Sequence, residues 1–230
     1  MKGKLIIIES GTDSSGKATQ TRLLYEKLKE EGYPVKKVEF PNYQSPSSAL
    51  VKMYLKGDFG QDPGEVDPYI SSTFYAVDRY ASYKTEWEDF YHRGGIILAD
   101  RYTTSNMVHQ GAKLKGKEKD KYLDWLWDLE FSIYKLPVPD GVIFLDMPIE
   151  FSILLMAERE NKITGKREKD IHERNRDYLK SSYENSLYVA DKYKWSKISC
   201  VDGKRLRTIE EIHDDVYEKV KLILDDKNSP

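Results

Sequence analysis

A short glycine-containing loop near the N-terminus constrains this chain more than any other stretch. It lies between an apolar run at 5–8 and a helical pattern with leucines at 23, 24 and 28. In this strand–loop–helix setting, the spacing Gly-x-x-x-x-Gly-Lys predicts a P-loop, whose backbone N–H groups surround nucleotide phosphates while the lysine neutralises their charge. The alternative is a surface turn that matches by chance. The residues predicted to bind the phosphates are Gly11, Thr12, Asp13, Ser14, Ser15, Gly16, Lys17, Ala18 and Thr19.

One position of this loop departs from the usual pattern. The residue after the lysine is normally Ser or Thr, whose hydroxyl binds the magnesium ion of the nucleotide. Here it is Ala18, and the hydroxyl of Thr19 points about 100° away around the helix. We therefore expect the metal to be held by phosphates, by water and by a carboxylate elsewhere in the chain.

The composition argues against a membrane, secreted or nucleic-acid-binding protein. A net charge of −2 over 230 residues gives no general attraction to nucleic acid or to an anionic membrane. No stretch approaches the ~20 apolar residues of a membrane span, and the N-terminus lacks a signal-peptide pattern. The single cysteine, Cys200, falls in an apolar strand pattern and is expected to be a buried, reduced thiol. We expect a cytoplasmic protein.

Short apolar runs alternate with helical patterns along the whole chain. Strands are expected at 5–8, 35–40, 96–99, 142–145 and 197–201, and helices at 17–31, near 50–55, at 67–94, 119–134, from 148, at 170–193 and from 208. This alternation predicts a three-layer α/β fold with a mainly parallel five-stranded sheet. We expect one domain, 1–230, with a frayed tail at about 225–230. Ligands of such sheets bind beyond the carboxyl ends of the strands.

The residues at those strand ends resemble a known family, the thymidylate kinases, which are P-loop nucleoside monophosphate kinases. The shared elements, in order, are the P-loop with Asp13, Phe40-Pro41-x-Tyr43, Tyr75-Ala76-x-Asp78-Arg79, Asp100-Arg101-Tyr102, Asn106-x-x-His109-Gln110-Gly111, a basic lid at about 158–170, and Asp170-x-x-Glu173. Each element alone is weak, but their order and spacing extend over nearly the whole chain. The resemblance implies a P-loop NTPase fold, phosphorylation of dTMP by ATP with Mg²⁺, and a homodimer.

The resemblance also implies catalytic roles for charged residues. Lys17 would bind the donor phosphates, and Asp13 would orient the acceptor phosphate or metal-bound water. Asp100 would hold Mg²⁺, directly or through water, and Arg101 would clamp the acceptor 5′-phosphate, because guanidinium offers a planar fork to phosphate oxygens. The alternative for Asp100 and Arg101 is a local ion pair at the end of a strand.

The lid is expected to supply a further cation. Some relatives carry a catalytic arginine within the P-loop, and this chain has none there. Relatives of that kind place the cation in the lid, where Arg159 and Arg167 are the candidates and Lys166 is the substitute. The alternative is a solvated charged loop, as charge runs usually are.

The family pattern also identifies an acceptor site. Tyr75, beside Phe74, would stack on thymine, and Arg79 would bond the carbonyl edge of the base. The alternative is an ordinary helix pair with Tyr75 in the core, while Asn106 and Gln110 could equally be polar loop residues. No role is assigned to His92, His172 or His213. The residues expected to bind dTMP are Asp13, Phe40, Tyr43, Tyr75, Arg79, Arg101, Asn106, His109 and Gln110.

Two departures from the family pattern keep other functions open. His109 stands where relatives have Tyr or Phe beside the deoxyribose, and Asn42 stands where many have an arginine. One alternative is therefore a kinase for another nucleoside or deoxynucleoside monophosphate. Another is a catalytically silent nucleotide-binding regulatory protein, which Ala18 suggests.

Overall fold

Five parallel strands form the centre of the computed structural model, which describes residues 2–156 and 170–226. The strands are β1 (Lys4–Ser10), β2 (Val35–Glu39), β3 (Ile96–Asp100), β4 (Gly141–Asp146) and β5 (Ser196–Ser199). They lie in the order β2-β3-β1-β4-β5, and every neighbouring pair is parallel. The predicted α/β fold with a five-stranded sheet is confirmed.

Helices flank this sheet throughout the described residues. They are α1 (Lys17–Glu30), α2 (Ala49–Lys56), α3 (Pro68–Ser82), α4 (Glu88–His92), α5 (Thr103–His109), α6 (Gly116–Trp127), α7 (Ile149–Met156), α8 (Ile171–Arg174), α9 (Arg176–Lys192) and α10 (Ile209–Asp225). Short 3-10 turns occur at Pro46–Ser48, Pro63–Glu65 and Gly111–Lys113.

Both faces of the sheet are buried. Along β1, Ile6 and Ile8 belong to one apolar core, and Leu5 and Ile7 belong to another, because successive side chains of a strand point to opposite faces. Residues of α1 and α10 complete the first core. Burial on two sides explains why the strands read as unbroken apolar runs. It also leaves the carboxyl ends of the strands as the place where polar side chains collect.

Three of the predicted helices are interrupted. The helix expected at 67–94 contains a π-helical segment, Tyr83–Trp87, between α3 and α4. The helix expected at 119–134 passes from α6 into a second π-helical segment, Asp128–Ile133. The helix expected at 170–193 breaks at Asn175, whose Oδ1 accepts from the Tyr178 backbone N–H at 2.9 Å and caps α9.

Helix α5 and the region around the last strand depart from the predicted strands and helices, and α5 was not predicted. The predicted fifth strand, 197–201, begins one residue earlier and ends at Ser199. A small antiparallel hairpin follows it, formed by β6 (Val201–Asp202) and β7 (Arg205–Leu206). Cys200 is buried as predicted, and burial raises the pKa of its thiol to about 12.

Two predicted segments fall largely outside the described residues. The lid at about 158–170, with Arg159, Lys166 and Arg167, lies outside them except for Asp170, and so does most of the tail at 225–230. No helix within 2–156 and 170–226 combines the length and apolar character that crossing a membrane requires.

Candidate active site

A cavity of about 490 Å³ opens at the carboxyl ends of the strands. The P-loop forms one side of it, and the ends of β2 and β3 together with α3 and α5 form the other. Tyr75 lines the cavity, whereas its neighbour Phe74 packs against Phe59 with ring centroids 5.6 Å apart. The cavity is lined by every residue predicted for the acceptor site: Asp13, Phe40, Tyr43, Tyr75, Arg79, Arg101, Asn106, His109 and Gln110.

The P-loop holds its lysine within a ring of oxygen atoms. The Lys17 ammonium donates to Ser10 Oγ at 2.7 Å, to the Thr12 carbonyl at 2.8 Å and to Ser15 Oγ at 3.2 Å. Burial and the nearby Arg101 charge lower the pKa of Lys17 to about 8. Gly16 adopts a left-handed φ of 87° just before α1, a conformation that glycine adopts at little cost.

An unpartnered hydroxyl on the cavity side of the loop points to an anionic ligand. Thr12 Oγ1 and Ser14 Oγ are buried without a hydrogen-bond partner among the described residues. Ser14, Ser15, Gly16, Lys17, Ala18 and Thr19 line the cavity, whereas Gly11 and Thr12 are not part of its lining. Burying a polar group without a partner is unfavourable, and a phosphate oxygen in the cavity would satisfy the Ser14 hydroxyl.

The P-loop is anchored to the helices on either side of residues 157–169. A Cβ atom at Gly11 would lie 2.1 Å from Ser186 Oγ of α9, so only glycine fits against this helix without a shift. On the other side, Ser152 Oγ of α7 donates to the Asp13 carbonyl at 2.7 Å. The first glycine of the motif therefore serves helix packing in this chain.

Arg101 follows β3 and joins the P-loop to α5. Its backbone has a left-handed φ of 69°, a sterically uncommon conformation that often marks functional sites. Its guanidinium donates to Asp13 Oδ1, to Ser105 Oγ at 3.2 Å and to His109 Nε2 at 3.0 Å. The Glu9 carboxylate lies 3.7 Å from Arg101 Nη1. The arginine is thus held at the cavity wall by groups on three sides.

Glu9 is a buried carboxylate at one of the strand ends expected around the ligand crevice, although no role was assigned to it. It is fully buried at the end of β1, and its Oε2 accepts from Thr104 Oγ1 and Ser105 Oγ, both at 2.7 Å. These bonds fix the start of α5 beside the P-loop. The signal was its position at the end of an apolar strand, where polar residues face the ligand crevice.

Two neutral imidazoles line the side of the cavity between Arg101 and Tyr54. His109 Nε2 accepts from Arg101, and burial together with that charge lowers the pKa of His109 well below its usual value. His172, to which no role was assigned, also lines the cavity, 6.4 Å from His109 between ring centroids. Its Nε2 lies 2.9 Å from Tyr54 Oη, and burial lowers its pKa to about 3. The sequence carried no signal for His172, because a single histidine in a polar helix usually faces solvent.

The far end of the cavity presents hydrogen-bond donors. Arg79 is almost fully buried, and its Nη2 donates to Asn106 Oδ1 at 2.9 Å. The Asn106 amide nitrogen is buried without a partner among the described residues. Behind them, Glu130 accepts from Arg79 Nε at 2.7 Å. The sequence did not indicate Glu130.

The nearby Asp78 and Asn42 act outside the cavity. Asp78 Oδ2 accepts from the Asn42 backbone N–H at 2.7 Å, and its Oδ1 accepts from Ser47 Oγ at 2.6 Å. The Asn42 side chain donates to Glu86 Oε1 at 2.8 Å and is not part of the cavity lining. These residues hold the loop that follows the cis Phe40–Pro41 peptide.

The carboxylates near the P-loop suit a metal ion that is bound mainly by substrate phosphates. Asp13, Glu9 and Asp100 each raise the pKa of Lys17, so three carboxylates lie near this ammonium. Within residues 2–156 and 170–226, no three acidic, histidine or cysteine residues form a metal site by themselves. This donor set fits Mg²⁺, which is usually bound by one or two carboxylates plus substrate phosphates. Asp100 and Asp13 both line the cavity, so they are the carboxylates that fit a magnesium ion bound with substrate phosphates.

A P-loop and Arg101 share this cavity with the buried polar side chains of Arg79 and Asn106, an arrangement typical of nucleoside monophosphate kinases. The sequence profile of thymidylate kinases matches residues 8–216. The chain belongs to the thymidylate kinase family.

Curated relatives agree with this assignment. The chain is 28% identical to the thymidylate kinase of Caldicellulosiruptor saccharolyticus, over 98% of both chains. It is 27% identical to a probable thymidylate kinase of Thermococcus onnurineus, over 94% of this chain and 97% of the relative. The solved structure of thymidylate kinase from Candida albicans has the same fold, with a TM-score of 0.70 and 22% identity, over 96% of this chain and 92% of that one.

Proposed function

We propose that this protein transfers the γ-phosphoryl group of ATP to dTMP and forms dTDP and ADP. The observation that carries the proposal is the cavity itself, because it joins the P-loop, Arg101 and the donor-rich end near Asn106. A donor nucleotide on the P-loop and a monophosphate against Arg101 would direct their phosphates toward each other. Such transfer needs mainly positioning and cancellation of negative charge.

The charged residues would share that cancellation of charge. Lys17 would leave its bonds to loop oxygens and bind the donor phosphates. Arg101 would bind the acceptor phosphate, with Asp13 holding the guanidinium in place. Asp100 and Asp13 would hold Mg²⁺ together with the phosphates, and the ion would supply further neutralisation of phosphate charge. We propose that Arg159 or Arg167 of the lid adds the last cation.

The base end of the cavity favours a pyrimidine with a carbonyl at position 4. The amide nitrogen of Asn106 and the guanidinium of Arg79 are both donors. The O4 atom of thymine is an acceptor, whereas the corresponding amino group of cytosine is a donor. Tyr75 would stack on the ring, and Phe40, Tyr43 and Gln110 would complete the pocket. His109 would lie beside the sugar.

A coupled assay of ADP release tests the proposed reaction. We expect turnover with ATP, Mg²⁺ and dTMP, weaker turnover with dUMP, and little with dCMP, dGMP or UMP. Preferred turnover of another monophosphate would move the substrate assignment to the residues around His109. Measurable ATP binding without turnover of any acceptor would contradict the kinase reaction.

The affinity for ATP is expected to fall as the pH rises above about 8. The lowered pKa of Lys17 means that its ammonium loses a proton near pH 8 in the absence of ligand. Bound phosphate favours the charged form, so binding above this pH requires proton uptake. Affinity should then decrease by up to about tenfold per pH unit, until the pH reaches the pKa of the bound form.

Calorimetric titration of ATP at pH 7, 8, 9 and 10 measures this dependence. Omitting magnesium keeps proton uptake separate from metal binding, and the nucleotide phosphates are fully ionised above about pH 7.5. A Lys17→Met variant serves as the control and should bind ATP weakly at every pH. If the ATP affinity of the unmodified protein stays constant from pH 7 to 10, Lys17 is not the phosphate-binding group whose proton controls affinity.

We also propose a cytoplasmic homodimer that associates through the outer face of α3. Ile70, Val77 and Tyr80 form an exposed apolar stripe on this helix, and Ile133 is 62% exposed nearby. Contiguous exposed apolar surface commonly marks a protein interface, and the family resemblance implies a second copy of this chain. The other face of α3 carries Tyr75 and Arg79, so dimer contacts would support the acceptor pocket from behind.

Val77→Glu is expected to shift the protein from dimer to monomer, because the carboxylate would be buried without a partner. Light scattering coupled to gel filtration measures the change. Leu222→Glu is the matched control, since Leu222 is an exposed apolar residue on α10. The interface is wrong if the Val77 variant remains a dimer or if the control dissociates equally.

A further inference from the structure

A buried ion pair connects α3 to the π-helical segment Asp128–Ile133. Glu130 is fully buried in that segment, and Arg79 is 1% exposed. The carboxylate binds the guanidinium side-on: Oε2 accepts from Nε at 2.7 Å, and Oε1 accepts from Nη2. Thr103 Oγ1 also donates to Oε2, at 2.6 Å. A buried pair is by itself weak evidence of a contribution to stability, and this one adjoins the cavity through Arg79.

The hydrogen bonds of Arg79 leave one of its N–H groups without an acceptor. A guanidinium has five N–H groups. Glu130 takes one from Nε and one from Nη2, and Asn106 Oδ1 takes the second from Nη2. On Nη1, one N–H makes a long bond of 3.4 Å to the Tyr102 carbonyl. The other N–H has no acceptor among the described residues, and Arg79 lines the cavity.

The same contacts fix which way the Asn106 amide faces. Its Oδ1 is occupied by Arg79, so its Nδ2 is the atom left to meet a ligand. That nitrogen is buried and lacks a partner among the described residues, and Asn106 is one of the residues that line the cavity. Both polar groups at this end are therefore donors, provided that Arg79 keeps its orientation.

We infer that Glu130 is a positioning residue that sets the base selectivity of the acceptor pocket. It holds Arg79 side-on, and Arg79 in turn holds Asn106 with its amide nitrogen toward the base. Glu130 is not part of the cavity lining, so it would act only through these two side chains. The inference rests on the proposed function, because it concerns the base of the proposed acceptor.

Loss of this carboxylate would release both side chains. A guanidinium without Glu130 can rotate its Nε and Nη2 donors toward other oxygens, and the Asn106 amide is then able to turn. An inverted amide presents Oδ1 to the ligand, and this oxygen can accept from the amino group of cytosine. In the original orientation, the amide nitrogen instead donates to a carbonyl oxygen. Selectivity for a 4-carbonyl base over a 4-amino base should therefore fall.

Equilibrium binding of dTMP and dCMP tests this role without depending on turnover. We expect the unmodified protein to bind dTMP much more tightly than dCMP. In Glu130→Gln, dTMP affinity should fall by about tenfold or more, the usual cost of a charged hydrogen bond, while dCMP affinity should stay the same or rise. Glu130→Asp is the second variant, because it keeps a buried charge for Arg79 but shortens the side chain by one methylene group.

A core truncation separates positioning from loss of stability. Val216→Ala removes buried volume in the core formed by α1 and α10, so it should lower the melting temperature and leave the ratio of the two dissociation constants unchanged. An unchanged ratio in a folded Glu130 variant would overturn the inference, as would an unmodified protein that does not discriminate between the ligands. Absence of phosphoryl transfer with intact, selective dTMP binding would instead contradict only the proposed function.

Discussion

Arg101→Ala is expected to lower kcat/KM for dTMP by about three orders of magnitude, the lower end of what a phosphate-binding arginine contributes to phosphoryl transfer. The residue is held at the cavity wall by Asp13, Ser105 and His109, so its guanidinium is already oriented for an acceptor phosphate. Both kcat and the KM for dTMP should change, because the contact persists in the transition state. The KM for ATP should change little.

Arg101→Lys tests whether geometry or charge matters. Lysine keeps the positive charge but cannot offer a planar fork to two phosphate oxygens, so most of the loss should remain. The matched control is Arg22→Ala on α1, where Arg22 is half exposed and pairs with Glu26. A folded Arg101→Ala protein that retains more than a tenth of the activity, by steady-state kinetics and thermal melting, would exclude the acceptor clamp.

Lys17→Met is expected to reduce kcat by about 10²- to 10³-fold, as removal of a preorganised electrostatic group from a site of charge development commonly does. Methionine has a similar length and no charge. The loop should keep its shape, because Ser10 Oγ still bonds the Thr12 carbonyl at 2.6 Å and lies 2.7 Å from Ser15 Oγ. Stability should therefore change by only about 1–2 kcal/mol.

Single-turnover kinetics and ATP titration separate the two effects of this substitution. Weaker ATP binding and slower chemistry should appear together, because Lys17 would contact the phosphates both before and during transfer. Lys27→Met is the matched control, since Lys27 lies on the same helix, is half exposed and pairs with Glu31. Near-normal turnover in a folded Lys17→Met protein would disprove the assigned role of the P-loop lysine.

The sequence predicted the sheet from short-range patterns, whereas most of the cavity lining was predicted from the resemblance to thymidylate kinases. Apolar runs mark buried parallel strands, and the residues after them must lie at one edge of the sheet. The P-loop and Arg101 could be placed near each other by that rule, whereas Asn106 was indicated by the resemblance. The order of the strands could not be predicted, since the sequence of a strand does not indicate which strands pair with it.

The missed residues lie where local periodicity fails. Glu130 belongs to a π-helical segment, in which the wider turn changes the face that each side chain occupies, so a regular 3.6-residue pattern does not indicate burial. His172 follows the lid in the four-residue helix α8, which is too short to show any pattern. Both residues matter through partners more than forty positions away, Arg79 and Tyr54.

The anchoring of the P-loop by α7 and α9 couples these helices to the phosphate site. Ser152 of α7 donates to the Asp13 carbonyl, and Ser186 of α9 packs against Gly11. Leu155 of α7 also lines the cavity. A shift of either helix should therefore move the phosphate-binding loop with it, so a substitution that displaces α7 or α9 should change ATP affinity without touching the nucleotide.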